Sequence, residues 1–412
     1  MVTTARLLSW ILAALCVQVL VGVLIVLHRR RGRAQPATPP ASPPAAVQAG
    51  AAWQGARAMR VRSRVFEDAA CTQCSFELEP VDGQSLPAFK PGQFLTFALQ
   101  PAAPAGSAAR TLTRCYSLSD RPEPDHYRVT IKRVPAPEGR PDLPAGEVSN
   151  HFHDQVQVGD VLQVRAPAGH FYIDAEAALP AVLLAGGIGI TPLMSMLRWC
   201  LAQQPQRRLH LYYGVRHGGE HAFKAQLQAL AAAHPQLSLH VAYSRPGEAD
   251  HQGLDYQHAG RVDLALLQRT LPHGRHAFYL CGPGAMMETL VPALQGWGVP
   301  DADIHFEAFG PASRRRPGAS VLPPAAAQGV AIRFERAGRS LIWDGQDTSL
   351  LDFAERHGVA VDSGCRSGGC GSCQTRLLSG TVVYDQVPDH DVAAGHCLLC
   401  VGRPATALAL EA

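Results

Sequence analysis

Nothing in this sequence carries the signature of a nucleic-acid partner. No stripe of lysine and arginine interleaves with aromatics, and the formal net charge is only +3. The basic excess sits in two short runs, at positions 29–33 and 314–316. A disulfide framework is also missing, because the eleven cysteines are odd in number and scattered through 412 residues. That usage fits a reducing compartment. Internal repeats are absent, so a repeat architecture is excluded. What remains is ordinary globular composition, 47% hydrophobic and 17% charged, with length for two or three domains that each bury a core.

One stretch departs from that composition. From Leu7 to Leu27 only Ser9 and Gln18 are clearly polar. Helical rise carries such a run about 31 Å, enough to cross a hydrocarbon layer. Arg6 alone precedes it, whereas His28-Arg29-Arg30-Arg31-Gly32-Arg33 follows at once. Positive charge stays on the cytoplasmic side, so the N-terminus is expected outside and everything after residue 30 inside. A secretory signal peptide would place its charges first, with a shorter apolar region and a small-residue cleavage site.

Residues 28–54 read as a basic and Pro/Ala-rich linker, with Pro36, Pro39, Pro40, Pro43 and Pro44. Its proline-rich part cannot build a core and reaches up to about 60 Å at polyproline rise. A second break, residues 311–329, is again rich in Pro and Ala. Between them, residues 55–177 carry short alternating runs such as Tyr127–Arg133 and Val161–Arg165, which predict a small antiparallel barrel. Residues 178–310 alternate continuous apolar strands (Ala181–Ala185, Leu209–Tyr213, Leu237–Tyr243, Ala277–Leu280) with helical stretches, which predicts a parallel α/β sheet. Residues 330–412 are short and turn-rich.

The strongest barrel motif is Arg114-Cys115-Tyr116-Ser117-Leu118-Ser119. A flavin site needs a cation for phosphate, a flat aromatic against the ring system and a small donor near the reactive nitrogen, and Arg, Tyr and Ser supply these. A tyrosine in a strand is more often simple packing. Some thirty residues on, Gly146-Glu147-Val148-Ser149-Asn150 opens a predicted helix, whose N-terminus suits a pyrophosphate. On these motifs the chain resembles the ferredoxin–NADP reductase superfamily, especially the reductase module of flavohaemoglobins, over roughly residues 55–310. The resemblance implies flavin contacts at Arg114, Tyr116, Ser117, Leu118, Val148 and Ser149, with Lys132 and Asn150 beside them. It favours FAD; FMN also fits the motifs.

The strand Ala181–Ala185 runs into Gly186-Gly187-Ile188-Gly189-Ile190-Thr191-Pro192. Glycines let backbone approach a pyrophosphate, and a helix N-terminus offers free N–H groups. The G-x-G-x-x-G fingerprint is absent, and such a turn is sometimes only structural. Its place after a flavin barrel favours a dinucleotide, with Gly187, Gly189, Thr191 and Pro192 as contacts. Cys281-Gly282-Pro283 ends another strand, and the resemblance puts it beside the nicotinamide, with Glu307 and Phe309 in the closing segment near the flavin. Ser117, Cys281 and Glu307 are therefore expected nearest the reacting atoms. Arg245 suits a 2′-phosphate or is a solvated loop residue, so NADH and NADPH both stay open.

Near the C-terminus, Cys365, Cys370 and Cys373 have C-x4-C-x2-C spacing, and Cys400 follows at a distance. That is the plant-type [2Fe–2S] pattern, in which one glycine-rich loop supplies three thiolates. Cys397 competes for the fourth position, but Cys400 before Val401-Gly402-Arg403-Pro404 matches better and leaves Cys397 as a packed thiol. A zinc site from Cys370/Cys373 and Cys397/Cys400 would leave Cys365 idle and the glycines without purpose. Cys71-Thr-Gln-Cys74 lacks a thioredoxin-like unit, and His151/His153 lack a third ligand, so both read as packing or surface.

The expected fold is thus α/β and β multidomain: an N-terminal transmembrane helix, an antiparallel flavin-binding β-barrel, a parallel α/β nucleotide-binding domain and a β-grasp ferredoxin domain. A nicotinamide gives a two-electron hydride and a [2Fe–2S] centre takes single electrons; a flavin between them does both. The order of modules resembles phthalate dioxygenase reductase and the NADH reductase of the hybrid-cluster protein. In the sodium-pumping NADH:quinone reductase the ferredoxin comes first instead. The expectation is a single-pass protein of a bacterial inner membrane, its redox domains cytoplasmic, serving an oxygenase, desaturase or other redox partner. A ferric or quinone reductase without a protein partner, and a non-catalytic membrane binding module, are the alternatives.

Overall fold

The computed structural model describes residues 52–53, 55–99, 112–136, 145–309, 329–366, 368–384, 388, 390 and 392–412. The expected membrane span at 7–27, and nearly all of both linkers, lie outside the described residues. Among the described residues no helix is long and apolar enough to cross a membrane.

The alternating runs of the first part form six antiparallel strands: β1 (Ala56–Phe66), β2 (Gln73–Pro80), β3 (Phe94–Leu99), β4 (Leu112–Ser117), β5 (Tyr127–Lys132) and β6 (Val161–Ala168). Their order is β4-β3-β6-β1-β2-β5, and an antiparallel bridge between Leu118 and Val129 brings the two edges together. β6 shows why the pattern folds this way. Val161, Gln163 and Arg165 are exposed while Leu162, Val164 and Ala166 are buried, the period-two signature of a half-buried strand. Helix α1 (Glu147–Asp154) places Phe152 in the barrel core, its ring 5.3 Å from Phe76 and Phe97 and 5.4 Å from Tyr116. Trp53, assigned to the linker from sequence, belongs with the barrel: its indole N–H donates to the Val164 carbonyl at 3.2 Å.

The second part is a sheet of six parallel strands: β7 (Ala181–Gly186), β8 (Leu209–Val215), β9 (Leu237–Tyr243), β10 (His258–Ala259), β11 (Ala277–Pro283) and β12 (Ile304–Phe309). Between them run α2 (Ile190–Gln203), α3 (Lys224–Ala233), α4 (Leu264–Thr270) and α5 (Gly284–Gly296). Separate apolar clusters cover the two faces, which is why the strands read as continuous hydrophobic runs. The order β10-β9-β8-β7-β11-β12 means the chain builds outward from β7 in one direction, then returns to its other side. In open α/β sheets the crevice where ligands bind lies at such a reversal, here outside the carboxyl ends of β7 and β11.

The third part holds β13 (Val330–Phe334), β14 (Arg339–Trp343), α6 (Leu350–Arg356), β15 (Gln374–Ser379), β16 (Val382–Tyr384), β17 (His396–Leu398), β18 (Gly402–Pro404) and β19 (Leu408–Leu410). A mixed sheet β14-β13-β19-β15-β17 packs on α6, as a β-grasp requires, with Leu350, Phe353, Ile332, Phe334, Trp343 and Leu410 in the core. Ser349 caps α6 by accepting from the Asp352 amide at 3.1 Å.

Candidate active site

The barrel and the parallel sheet are stitched together near the crevice. Ser195 Oγ on α2 donates to the Asp120 carbonyl at 2.6 Å, and Arg198 on the same helix pairs with the Asp120 carboxylate at 2.9 Å. These bonds set the strand end carrying Ser117 beside the first turns of α2. A second seam joins the β1–β2 turn to the loop after β8, through Ala70 N to Gly219 O at 2.9 Å and Phe223 N to Glu67 O at 3.1 Å.

Within the crevice the glycines have a visible reason. A β-carbon on Gly189 would collide with the Cys281 carbonyl, and one on Gly282 would lie 3.0 Å from the Gly186 Cα. The turn after β7 and the end of β11 therefore pass at backbone contact, and Gly187 adopts a φ of +53°. The N-terminal turn of α2 carries no acidic residue, so its partial positive charge is left for a ligand. Thr191 Oγ1 is committed to the turn, donating to the Ile188 carbonyl at 3.0 Å, and Pro192 is buried in the first turn. Cys281 is fully buried and opposite Glu307 in the β11–β12 register, with Pro283 opposite Phe309. Burial, reinforced by the Glu307 charge, pushes the Cys281 thiol well above the usual thiol range, so it stays neutral.

The flavin candidates divide between faces of β4. Arg114 is exposed, and among the described residues it pairs with no carboxylate; its Nη1 donates to the Thr113 carbonyl at 2.8 Å. Tyr116 is half-buried against Phe97 and Phe152. Ser117 is buried, opposite Phe94 of β3. Three expectations meet a different local structure. Ser149 Oγ donates to the Gly146 carbonyl at 3.1 Å and accepts from Val134 N at 3.3 Å, tying the end of β5 to α1. Asn150 donates to the Val134 carbonyl at 3.3 Å, and its buried Oδ1 has no partner among the described residues. Lys132 pairs at 3.1 Å with Glu220 of the loop after β8, because that loop packs across the strand end. Leu118 and Val148 are core side chains, so only their backbone is placed to meet a ligand.

The four cluster cysteines come together. Cys365 Sγ accepts from the amides of Gly369 and Cys370 at 3.2 and 3.3 Å, and Cys370 Sγ accepts from the Cys365 amide at 3.2 Å. Cys373 Sγ accepts from the Cys400 amide at 3.4 Å. The Cys400 thiol contacts those of Cys365 and Cys373. Hydrogen bonding from Cys400 holds the Cys373 thiol below its ordinary range, while hydrogen bonding first with Cys365 and then with Cys373 raises Cys400. The result is two thiol pairs, 365/370 and 373/400, the donor set that two irons with two thiolates each require, and loop amides already point at the sulfurs. Among the described residues no three His, Cys, Asp or Glu side chains are arranged to hold a single metal ion. Cys397 is buried in the ferredoxin core and pushed up to about 12 by burial, as a packed thiol should be. Cys71 and Cys74 are free thiols, and His153 is buried, its Nε2 bonded to the Ile131 carbonyl at 2.9 Å.

Three family models match, in the order of the domains. An oxidoreductase FAD-binding domain covers residues 65–173, an oxidoreductase NAD-binding domain 183–291, and a 2Fe-2S iron-sulfur cluster binding domain 334–405. The flavohemoprotein of Chromobacterium violaceum is 42% identical over 265 residues, which are 64% of this chain and 63% of that protein. The chain thus spans about 63% of the length of the curated relatives it matches. The solved flavohem-like FAD/NAD binding domain of nitric oxide dioxygenase from Vibrio cholerae is 34% identical, with a TM-score of 0.54, over 63% of this chain and 100% of that one. The chain belongs to the ferredoxin–NADP reductase superfamily. Phthalate dioxygenase reductase, described as modular for electron transfer from pyridine nucleotides to [2Fe–2S], is 28% identical over 87% of this chain and 98% of its own, with a TM-score of 0.50.

The cofactors of this superfamily member are FAD, a [2Fe–2S] cluster and NADH or NADPH, and its chemistry is that of an NAD(P)H-dependent oxidoreductase. Several residues of the reductase were not legible as site candidates. Arg216, on the rim just beyond β8, accepts a backbone bond from Arg245 at 2.8 Å, and its own guanidinium pairs with Glu220 at 3.4 Å. Asp250 accepts from Gly218 N at 3.1 Å and Gly247 N at 2.7 Å on the same rim. Phe94, Cys115 and Arg165 face the cluster loop. Their only sequence signal was adjacency to a motif, as with Cys115 inside R-x-Y-S; the rest depended on strand register.

Proposed function

We propose that this chain is a membrane-anchored reductase that takes electrons from NAD(P)H through FAD to its own [2Fe–2S] cluster and then to a separate redox protein such as an oxygenase or desaturase. One observation supports the order of transfer above all. The loop holding Cys365 and Cys370 packs directly on β4, the strand that carries Arg114, Tyr116 and Ser117. When bound, FAD accepts a hydride from the nicotinamide and releases electrons singly, which is the change of currency the cluster needs. The chain's own residues position these groups: the glycine crevice orients the dinucleotide, neutral Cys281 and Glu307 line its reactive end, and Ser117 borders the flavin strand. No general acid–base pair is required.

The anchor reading rests on the apolar run at 7–27 and the arginines after it, and the inner-membrane location on the same charge asymmetry. The acceptor reading draws on the likeness to phthalate dioxygenase reductase. It is tested by shortening the tether at 311–329. Reduction of a protein acceptor should slow while reduction of a soluble dye persists; equal loss of both would contradict a ferredoxin domain that reaches a partner. Full turnover of a ferric or quinone substrate with no protein acceptor would favour the small-molecule reductase instead.

A further inference from the structure

The contact between the cluster loop and the barrel is built by residues of three barrel strands, of which only Cys115 belongs to the flavin motif. Arg165 on β6, Thr96 on β3 and Cys115 on β4 are direct cross-strand neighbours and form one row over three strands. Arg165 Nη1 donates to the carbonyl of Cys370 at 2.7 Å. Thr96 Oγ1 and Cys115 Sγ are 3.3 Å apart, and the Cys115 thiol touches those of Cys365 and Cys370. In the next row Phe94 lies opposite Ser117, and a β-carbon on Gly369 would sit 3.1 Å from its ring Cζ. Glycine at 369 is what allows the loop this close to the ring.

We propose that Arg165 is a positioning residue: its bond to Cys370 holds the cluster loop on the flavin strand and raises the cluster's reduction potential while the loop is docked. The proposal rests on the reductase reading above. A guanidinium is permanently charged, and here it meets the backbone of a cluster ligand. Reduction adds one negative charge to the cluster, and a neighbouring cation favours that state. By reciprocity, reduction tightens docking and undocking lowers the potential. Arg165 thereby makes the docked cluster the better acceptor from the flavin and the released cluster the better donor to a partner. It exchanges neither proton nor electron. The overall balance is NAD(P)H plus two oxidised one-electron acceptors giving NAD(P)+, one proton and two reduced acceptors.

The test compares the full-length holoprotein with Arg165→Gln, which keeps a donor without the charge, and Arg165→Lys, which keeps the charge. Arg165 occupies an exposed position of β6, so both variants should fold. The readouts are the cluster potential, followed by its reduced-state electron paramagnetic resonance signal, and amide hydrogen exchange over residues 368–373. A charge-assisted bond of this kind should hold docking about ten- to a hundredfold tighter than its absence. Each tenfold preference of docking for the reduced cluster corresponds to about 59 mV for one electron. Arg165→Gln should lower the potential and speed exchange in the loop, and Arg165→Lys should recover most of the potential. An unmoved potential in Arg165→Gln overturns the proposal, and so does unmoved exchange. Wild-type protein whose flavin neither NADH nor NADPH bleaches would overturn the reductase reading instead.

Discussion

The crevice between β7 and β11 makes a graded prediction from three glycines to alanine. Gly296, in the last turn of α5, has nothing within 4 Å of an added β-carbon, and its φ is not positive. Alanine there should stabilise the nucleotide-binding domain by about 0.5–1 kcal/mol, through the entropy of the unfolded chain. Gly187 also has open space but sits at a φ of +53°, so alanine should cost about 1–2 kcal/mol. Gly189 is the decisive case. Its β-carbon would strike the backbone of Cys281 and lie 2.6 Å from Gly282 N, with no flexible side chain to yield. The turn and the end of β11 must separate, at a cost of about 1–3 kcal/mol, and the shift falls where the dinucleotide is expected. Denaturant melts should rank Gly296→Ala above wild type, Gly187→Ala below it and Gly189→Ala lowest or equal lowest. Stopped-flow bleaching of the flavin by NADH should show the Gly189→Ala defect mainly as weaker saturation. A Gly189→Ala protein that melts and saturates like wild type would refute the close-approach reasoning.

Serine at Cys365, Cys370, Cys373 or Cys400 should abolish the cluster absorbance and bound iron, whereas Cys397→Ser should keep both. His210, His221 and His240 are each held down to about 4, first by burial and then by His276, Lys224 and His258 respectively. Because their folded values lie below the unfolded value near 6.5, the unfolded chain binds protons more readily, so stability is full above pH 6.5 and is lost as pH falls toward 4. Denaturant midpoints at pH 7 and pH 5 should show that loss, and His210→Gln should reduce it. Removing Arg245 with alanine should raise KM for NADPH by about tenfold and leave NADH nearly unaffected, if its guanidinium reads a 2′-phosphate; equal effects on both would remove Arg245 from the site.

How much of this was legible before folding differs by residue type. The four cluster cysteines stood out because their spacing is a constraint on one local loop, and the structure gathers those same four and leaves Cys397 packed. The strands of the parallel sheet were legible because burial on both faces gives unbroken apolar runs. Ser149 and Lys132 were less so, since their side chains are diverted by neighbours from elsewhere in the chain, Val134 and Glu220, that no local pattern announces. Arg165 was invisible for the same reason: an exposed arginine on a strand looks solvated until a domain more than two hundred residues away rests on it. The membrane helix stays a reading of composition, because residues 7–27 lie outside the described structure.

The central claim is an electron path from a nicotinamide through flavin to the C-terminal cluster. The full-length protein, purified under reducing conditions, should show flavin and [2Fe–2S] absorption bands, and anaerobic NADH or NADPH should bleach both. Flavin bleaching with a cluster that stays oxidised, or no cluster bands in protein that holds iron-free thiols after reconstitution, would contradict it.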